Sequence, residues 1–236
     1  ALLFLSGLAL ALTLAGLLAS DGMAQGANPA APSSSPSTIT VTTTADTVSC
    51  GTPCSLRGAI AAASSGDTII IPAGTYTLTV VDNTVDGANG LPRIASDVTI
   101  SGSGAASTII ERSATAPDFR IFGVGSGTLT LNDVTVRGGR GLYGSGVYLR
   151  GDLNVNNSVF RDNHAVTQVG GAISTNFVVD VTIRNSTFTD NSAVNYGAVG
   201  SLLGTLLVRN SVFSNNTSTT GSVGALSFSF GGSSAT

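Results

Sequence analysis

The stretch LNVNNSVFRDN (residues 153–163) decides the fold, because it recurs as VTIRNSTFTDN (181–191) and as LLVRNSVFSNN (206–216). The triplets Leu131-Asn132-Asp133, Val155-Asn156-Asn157, Ile183-Arg184-Asn185 and Val208-Arg209-Asn210 align at spacings of 24, 28 and 25 residues. Behind them stand Val136, Phe160, Phe188 and Phe213, and then Asp162-Asn163, Asp190-Asn191 and Asn215-Asn216. A glycine before an apolar pair gives a second landmark: Gly146-Val147-Tyr148, Gly171-Ala172-Ile173, Gly197-Ala198-Val199 and Gly224-Ala225-Leu226. Two landmarks that share one period mark a repeat architecture.

A period of about 26 residues with short alternating runs fits one coil of a parallel β-helix, with room for about three strands and their turns. A helical repeat would need Leu and Ala at 3.6-residue spacing, which is absent. Side chains alternate along a strand, so Leu129, Leu131, Leu153, Val155, Val181, Ile183, Leu206 and Val208 are expected to point inward. Thr130, Asn154 and Thr182, one residue off, should point outward. Asp133, Asn157, Asn185 and Asn210 share the inward parity at a bend. They form either an inward ladder of amides bonded along the stack or surface turns where Asn tolerates left-handed backbone.

Composition narrows the classes further. Only 10% of the 236 residues are charged, all ten basic residues are Arg, and the formal net charge is -3. That balance disfavours a nucleic-acid binder, which wants a basic face. Few Glu, Lys or Gln and many β-branched residues disfavour bundles and coiled coils. Residues 1–18 carry no charge, and small residues at Gly22 and Ala24 fit a cleavage site, so residues 1–24 read as a signal peptide rather than an anchor. Residues 25–37 read as a Pro/Ser/Ala-rich linker. In an exported chain Cys50 and Cys54 pair most simply with each other, as a structural staple.

Next, Ile39 to Thr44 alternates like a strand. Ser55 is a good helix N-cap, with Leu56, Ala59, Ile60 and Ala63 on one face. Gly66-Asp67 ends that helix and Thr68-Ile69-Ile70-Ile71 opens a buried strand. The run TVSCGTPCSLRGAIAAASSGDTIIIPAGTYTL (47–78) resembles the CSLREA domain, which opens many exported bacterial β-helix proteins. The chain departs from that motif at Gly58, where the motif has Glu. Losing the Glu removes a capping box and is expected to weaken the helix by up to about 1 kcal/mol. The F-x-x-N and G-G-A-I pieces of residues 129–230 resemble repeats of chlamydial polymorphic membrane proteins. The two resemblances, with the crossover preference of parallel strands, imply an all-β, right-handed, single-stranded parallel β-helix (solenoid) with a short N-terminal capping helix. Its cap covers residues 38–67 and its coils residues 68–236. The chain starts without Met and ends at Thr236 on a segment that looks internal, so the expectation is a piece truncated at the C-terminus.

Candidate chemistry is sparse. Stacking puts Asp162 beside Asp190, a spacing of about 5 Å that would suit a retaining glycosidase, with His164 near. The same acids read equally as turn residues, and His164 as another. Asp82, Asp86 and Asn89 offer the oxygen donors calcium prefers, without the EF-hand spacing. The stacked pairs Arg184/Arg209 and Arg137/Arg161 would suit anionic sugars. The favoured expectation is an exported scaffold, secreted or on the cell surface of an outer membrane, that adheres without catalysis and needs no cofactor. Its expected partners are surface glycans or host and cell-surface proteins, with membrane contact only through the signal or a missing C-terminal anchor. The alternative is a polysaccharide lyase or glycoside hydrolase of the pectin-lyase-like class.

Overall fold

Residues 35–221, 223–228 and 234–235 are described by the computed structural model. The expected signal peptide and most of the linker lie outside the described residues. The described residues form an all-β solenoid of parallel sheets, about seven turns long, with one helix among them. The longest face stacks strands Thr38–Thr40, Asp67–Ile71, Val98–Gly102, Thr128–Asn132, Asp152–Asn156 and Val178–Arg184. It continues into the second half of Val199–Arg209. A second face runs from Gly74–Leu78 to Val212–Ser214. A central coil carries four strands rather than three: Val147–Leu149, Asp152–Asn156, Val159–Arg161 and His164–Val169. The fourth face escaped the sequence reading because its strands, Arg140–Gly141, His164–Val169, Ser192–Asn195 and Thr217–Ser218, vary from two to six residues and share no regular alternation.

The stacking register matches the inferred repeat. Leu129, Leu153, Val181 and Leu206 are successive partners, as are Leu131, Val155, Ile183 and Val208. All are buried except Val208, which is half-buried against the core. Each fully buried aliphatic side chain stabilises the fold by about 1.5–3 kcal/mol. The Phe160, Phe188 and Phe213 rings stack inside the coil at centroid distances of 5.0 and 4.8 Å. The glycine landmark has a steric cause. A Cβ at Gly171 would lie 2.3 Å from the Gly197 carbonyl oxygen, and one at Gly197 would lie 2.4 Å from that of Gly224.

The bend residues resolve in favour of the surface turn. Asp133, Asn157, Asn185 and Asn210 adopt φ of 58°, 49°, 50° and 49°. The left-handed step breaks strand parity, so Asn157, Asn185 and Asn210 end exposed and Asp133 half-buried. A 3.3 Å bond from Asn185 Nδ2 to Asn157 Oδ1 is all that remains of the inward ladder there. The interior amide ladder lies six residues later, at the buried Asn163 and Asn191 and the half-buried Asn216. Asn163 Nδ2 donates to Asn191 Oδ1 at 3.0 Å, and Asn191 Nδ2 donates to Asn216 Oδ1 at 2.9 Å. The same amides also donate to the carbonyls of Val136, Phe160 and Phe188. Ser158, Ser186 and Ser211 form a parallel ladder, each hydroxyl accepting a backbone N–H from the preceding coil.

The N-terminal segment is part of the stack. Thr38–Thr40 pairs with Thr68–Ile70, so the expected border between cap and coils at residue 67 is crossed by one sheet. Cys50 and Cys54 are bonded, with an S–S distance of 2.07 Å. Ser55 Oγ caps the helix Leu56–Ala62 by accepting from Gly58 N at 3.0 Å. Gly58 has a reason beyond helix propensity: a Cβ there would lie 2.0 Å from Ser49 O. The disulfide loop therefore leaves no room for the expected Glu. Arg57, 3% exposed, pairs with Asp46 at 2.7 Å and with Asp82 at 3.0 Å. That fork ties the helix to the chain on both sides of it.

Candidate functional site

Asp162 and Asp190 occupy left-handed corners on neighbouring rungs, as the register of Arg161 with Thr189 requires. Each carboxylate is engaged within its own coil. Asp162 accepts from Arg161 at 2.7 Å, and Asp190 accepts from the Thr189 hydroxyl at 2.9 Å. They stand at a solvated corner and line none of the grooves that Tyr76, Leu78, His164 and Leu142 border. His164 is no turn residue: it opens a strand, between Arg140 on one rung and Ser192 on the next. Its Nδ1 lies 2.5 Å from Ser192 Oγ. Arg140, His164, Ser192 and Thr219 line a groove of about 310 Å³, and Arg140 is itself paired with Asp118 at 3.0 Å.

The calcium triad does not assemble. Asp82 serves Arg57 and the Asn83 amide. Asn89 turns its amide nitrogen into the loop, 2.8 Å from Asn83 Oδ1, Val85 O and Gly87 O. An N–H donor thus fills the space among the oxygens that a cation would occupy. Asp86 is held by Arg93 at 3.4 Å and, closer, by Arg150. Among the described residues no three His, Cys, Asp or Glu side chains cluster as metal ligands.

Asp86 is instead the hub of a cationic cluster that sequence reading did not find. Arg120 Nη2 donates to the Asp86 carbonyl at 2.6 Å, and its guanidinium lies 4.6 Å from the centroid of the Tyr148 ring. Arg120 is 1% exposed, and its Nε and Nη1 lack an acceptor. Burial pushes its pKa down to about 10, which still leaves it charged at neutral pH. Arg150 covers the Phe177 ring at 4.4 Å, and Tyr143 packs 5.7 Å from Tyr148. The three arginines come from three different coils and fall outside both repeat landmarks, so no local pattern announces them. Of the stacked arginines read from sequence, Arg137 is paired with Glu111 at 2.5 Å and Arg161 with Asp162, while Arg184 and Arg209 stack in register.

The long face carries a different surface. Thr99, Thr130, Asn154 and Thr182 form one outward column, and Ser101, Asn132 and Asn156 form another two residues along. Asn132 Nδ2 donates to Ser101 Oγ at 3.2 Å, and Asn156 Nδ2 to Asn132 Oδ1 at 2.9 Å. A scan of known protein families and a search of curated proteins return no match for this chain.

Proposed function

We propose that the chain is an exported scaffold, secreted or on the cell surface, that holds surface glycans on its long polar face and performs no catalysis. One observation carries the reading: two outward columns in register, Thr99, Thr130, Asn154 and Thr182 over four coils and Ser101, Asn132 and Asn156 over three. Rungs about 4.8 Å apart present uncharged donors and acceptors in a regular array. Such an array suits a polyhydroxylated chain, whose many weak contacts add along its length. The CSLREA-like segment and the resemblance of the repeats to polymorphic membrane proteins support export and display. The lyase or hydrolase reading needs Asp162 and Asp190 to work together, and each is bound within its own coil.

The test is retention of the full chain on an array of neutral and acidic glycans, with N132A/N156A as the comparison. Retention that falls in the variant supports the reading. Equal retention by both, or release of shortened sugars that D162N/D190N abolishes, overturns it.

A further inference from the structure

We infer that the corner formed by Arg93, Arg150 and Phe177 is an anion subsite beside the polar face, which takes the acidic group of an anionic saccharide. This deepens the glycan reading above and rests on it. The placement comes from the coil. Arg150 follows strand Val147–Leu149 and precedes Asp152–Asn156, and Phe177 stands at the same corner one coil on, between Ile173–Thr175 and Val178–Arg184. Arg93, two coils before Arg150, reaches up to the same corner, since a Cβ at Gly125 on the intervening coil would meet its guanidinium at 2.5 Å. The three residues thus border the long face where a sugar lying on its columns would pass.

Charge supplies the second argument. Three guanidinium groups gather on Asp86: Arg93 and Arg150 through its carboxylate, Arg120 through its carbonyl. One carboxylate against three cations leaves a surplus of two positive charges. Asp97, Asp152 and Asp180 each precede a register partner on the long face, but among the described residues none forms an ion pair with these arginines; the Asp97 carboxylate accepts the Thr128 N–H and the Asp152 carboxylate the Asp180 N–H, each at 2.8 Å. Arg120 makes the surplus permanent. It is buried, with two unpartnered nitrogens, and no carboxylate oxygen pairs with it. A buried cation without a direct counter-charge favours an anion nearby, where low dielectric strengthens the attraction.

Arg93 and Arg150 are the reachable members, 33% and 39% exposed. Each spends one nitrogen on Asp86, which leaves further N–H donors for a second oxyanion. Asp86 is then an internal competitor for the same donors. Its backbone sits at φ 58°, which Asn tolerates, so its charge is removable without disturbing the turn.

The experiment is calorimetric titration of the full chain with a hyaluronan hexasaccharide, its methyl ester, and a chondroitin sulfate hexasaccharide. The acid should bind at least about tenfold more tightly than the ester, and R93Q/R150Q should lose about tenfold or more. D86N should tighten binding, and added salt should weaken it. A preference for the sulfated probe would assign the subsite to sulfate, and equal affinity for both acids to a carboxylate. Equal affinity for acid and ester, or an unchanged R93Q/R150Q, overturns the subsite. If the hexasaccharides still bind through Asn132 and Asn156 in that case, the glycan reading survives without it. If no saccharide binds the unmodified chain, both fall.

Discussion

Replacing Asn191 by Ala should cost the solenoid far more than replacing Asn185, although both are repeat asparagines. Asn191 is fully buried. Its Oδ1 accepts from Asn163 N at 3.2 Å and Asn163 Nδ2 at 3.0 Å. Its Nδ2 donates to Phe160 O and to Asn216 Oδ1, both at 2.9 Å. Four bonds at a net value of about 1 kcal/mol each give roughly 4 kcal/mol, and the stranded partners add to that. Asn185 is exposed and makes one 3.3 Å side-chain bond, so its loss removes little beyond tolerance of a φ of 50°. Ala in left-handed backbone costs about 1–2 kcal/mol. The assay is urea unfolding of the full chain followed by far-ultraviolet circular dichroism. Midpoints are compared, because repeat proteins need not unfold in one step. If N185A proves as damaging as N191A, or N191A unfolds with the unmodified chain, the buried ladder is misassigned.

Three further outcomes follow from the N-terminal segment. G58E, which restores the residue expected from the family resemblance, should destabilise by about 2 kcal/mol or more because its Cβ collides with Ser49 O; a raised melting temperature would refute the steric argument. Replacing Cys50 and Cys54 by Ser should cost about 2 kcal/mol, the entropy of a short closed loop, as read from the urea midpoint. The N–H groups of Ser64 and Ser37 and the Ser37 hydroxyl hold the Asp67 carboxylate below its ordinary pKa. Its stabilisation is therefore present in full above about pH 4 and lost as the pH falls through the lowered native value. The stability gap between the unmodified chain and D67N should narrow on acidification; a constant gap from pH 7 to pH 2 would show that the carboxylate charge is not involved.

What the chain announced and what it concealed divide along a physical line. Positions that repeat because every coil must solve the same problem leave a periodic trace. Leu153 and Val155 fill the core, Phe160 stacks on Phe188, and Gly171 makes way for the Gly197 backbone. The trace does not say which side of a corner a residue takes. Parity counting fails once a left-handed residue intervenes, which is how Asn185 looked inward while Asn191 carried the buried ladder. The Asp86 cluster left no trace at all. Arg93, Arg120 and Arg150 each occur once, in different coils, and are joined only by winding. A solenoid brings residues one turn apart into contact, so a site built on it is a column, unreadable along the chain. The same logic explains why Asp162 and Asp190, which the repeat does place side by side, are weak candidates. A position fixed by the corner in every coil answers to folding first. A cluster such as Arg93, Arg150 and Phe177, which the repeat does not require, is where selection for binding has room to act.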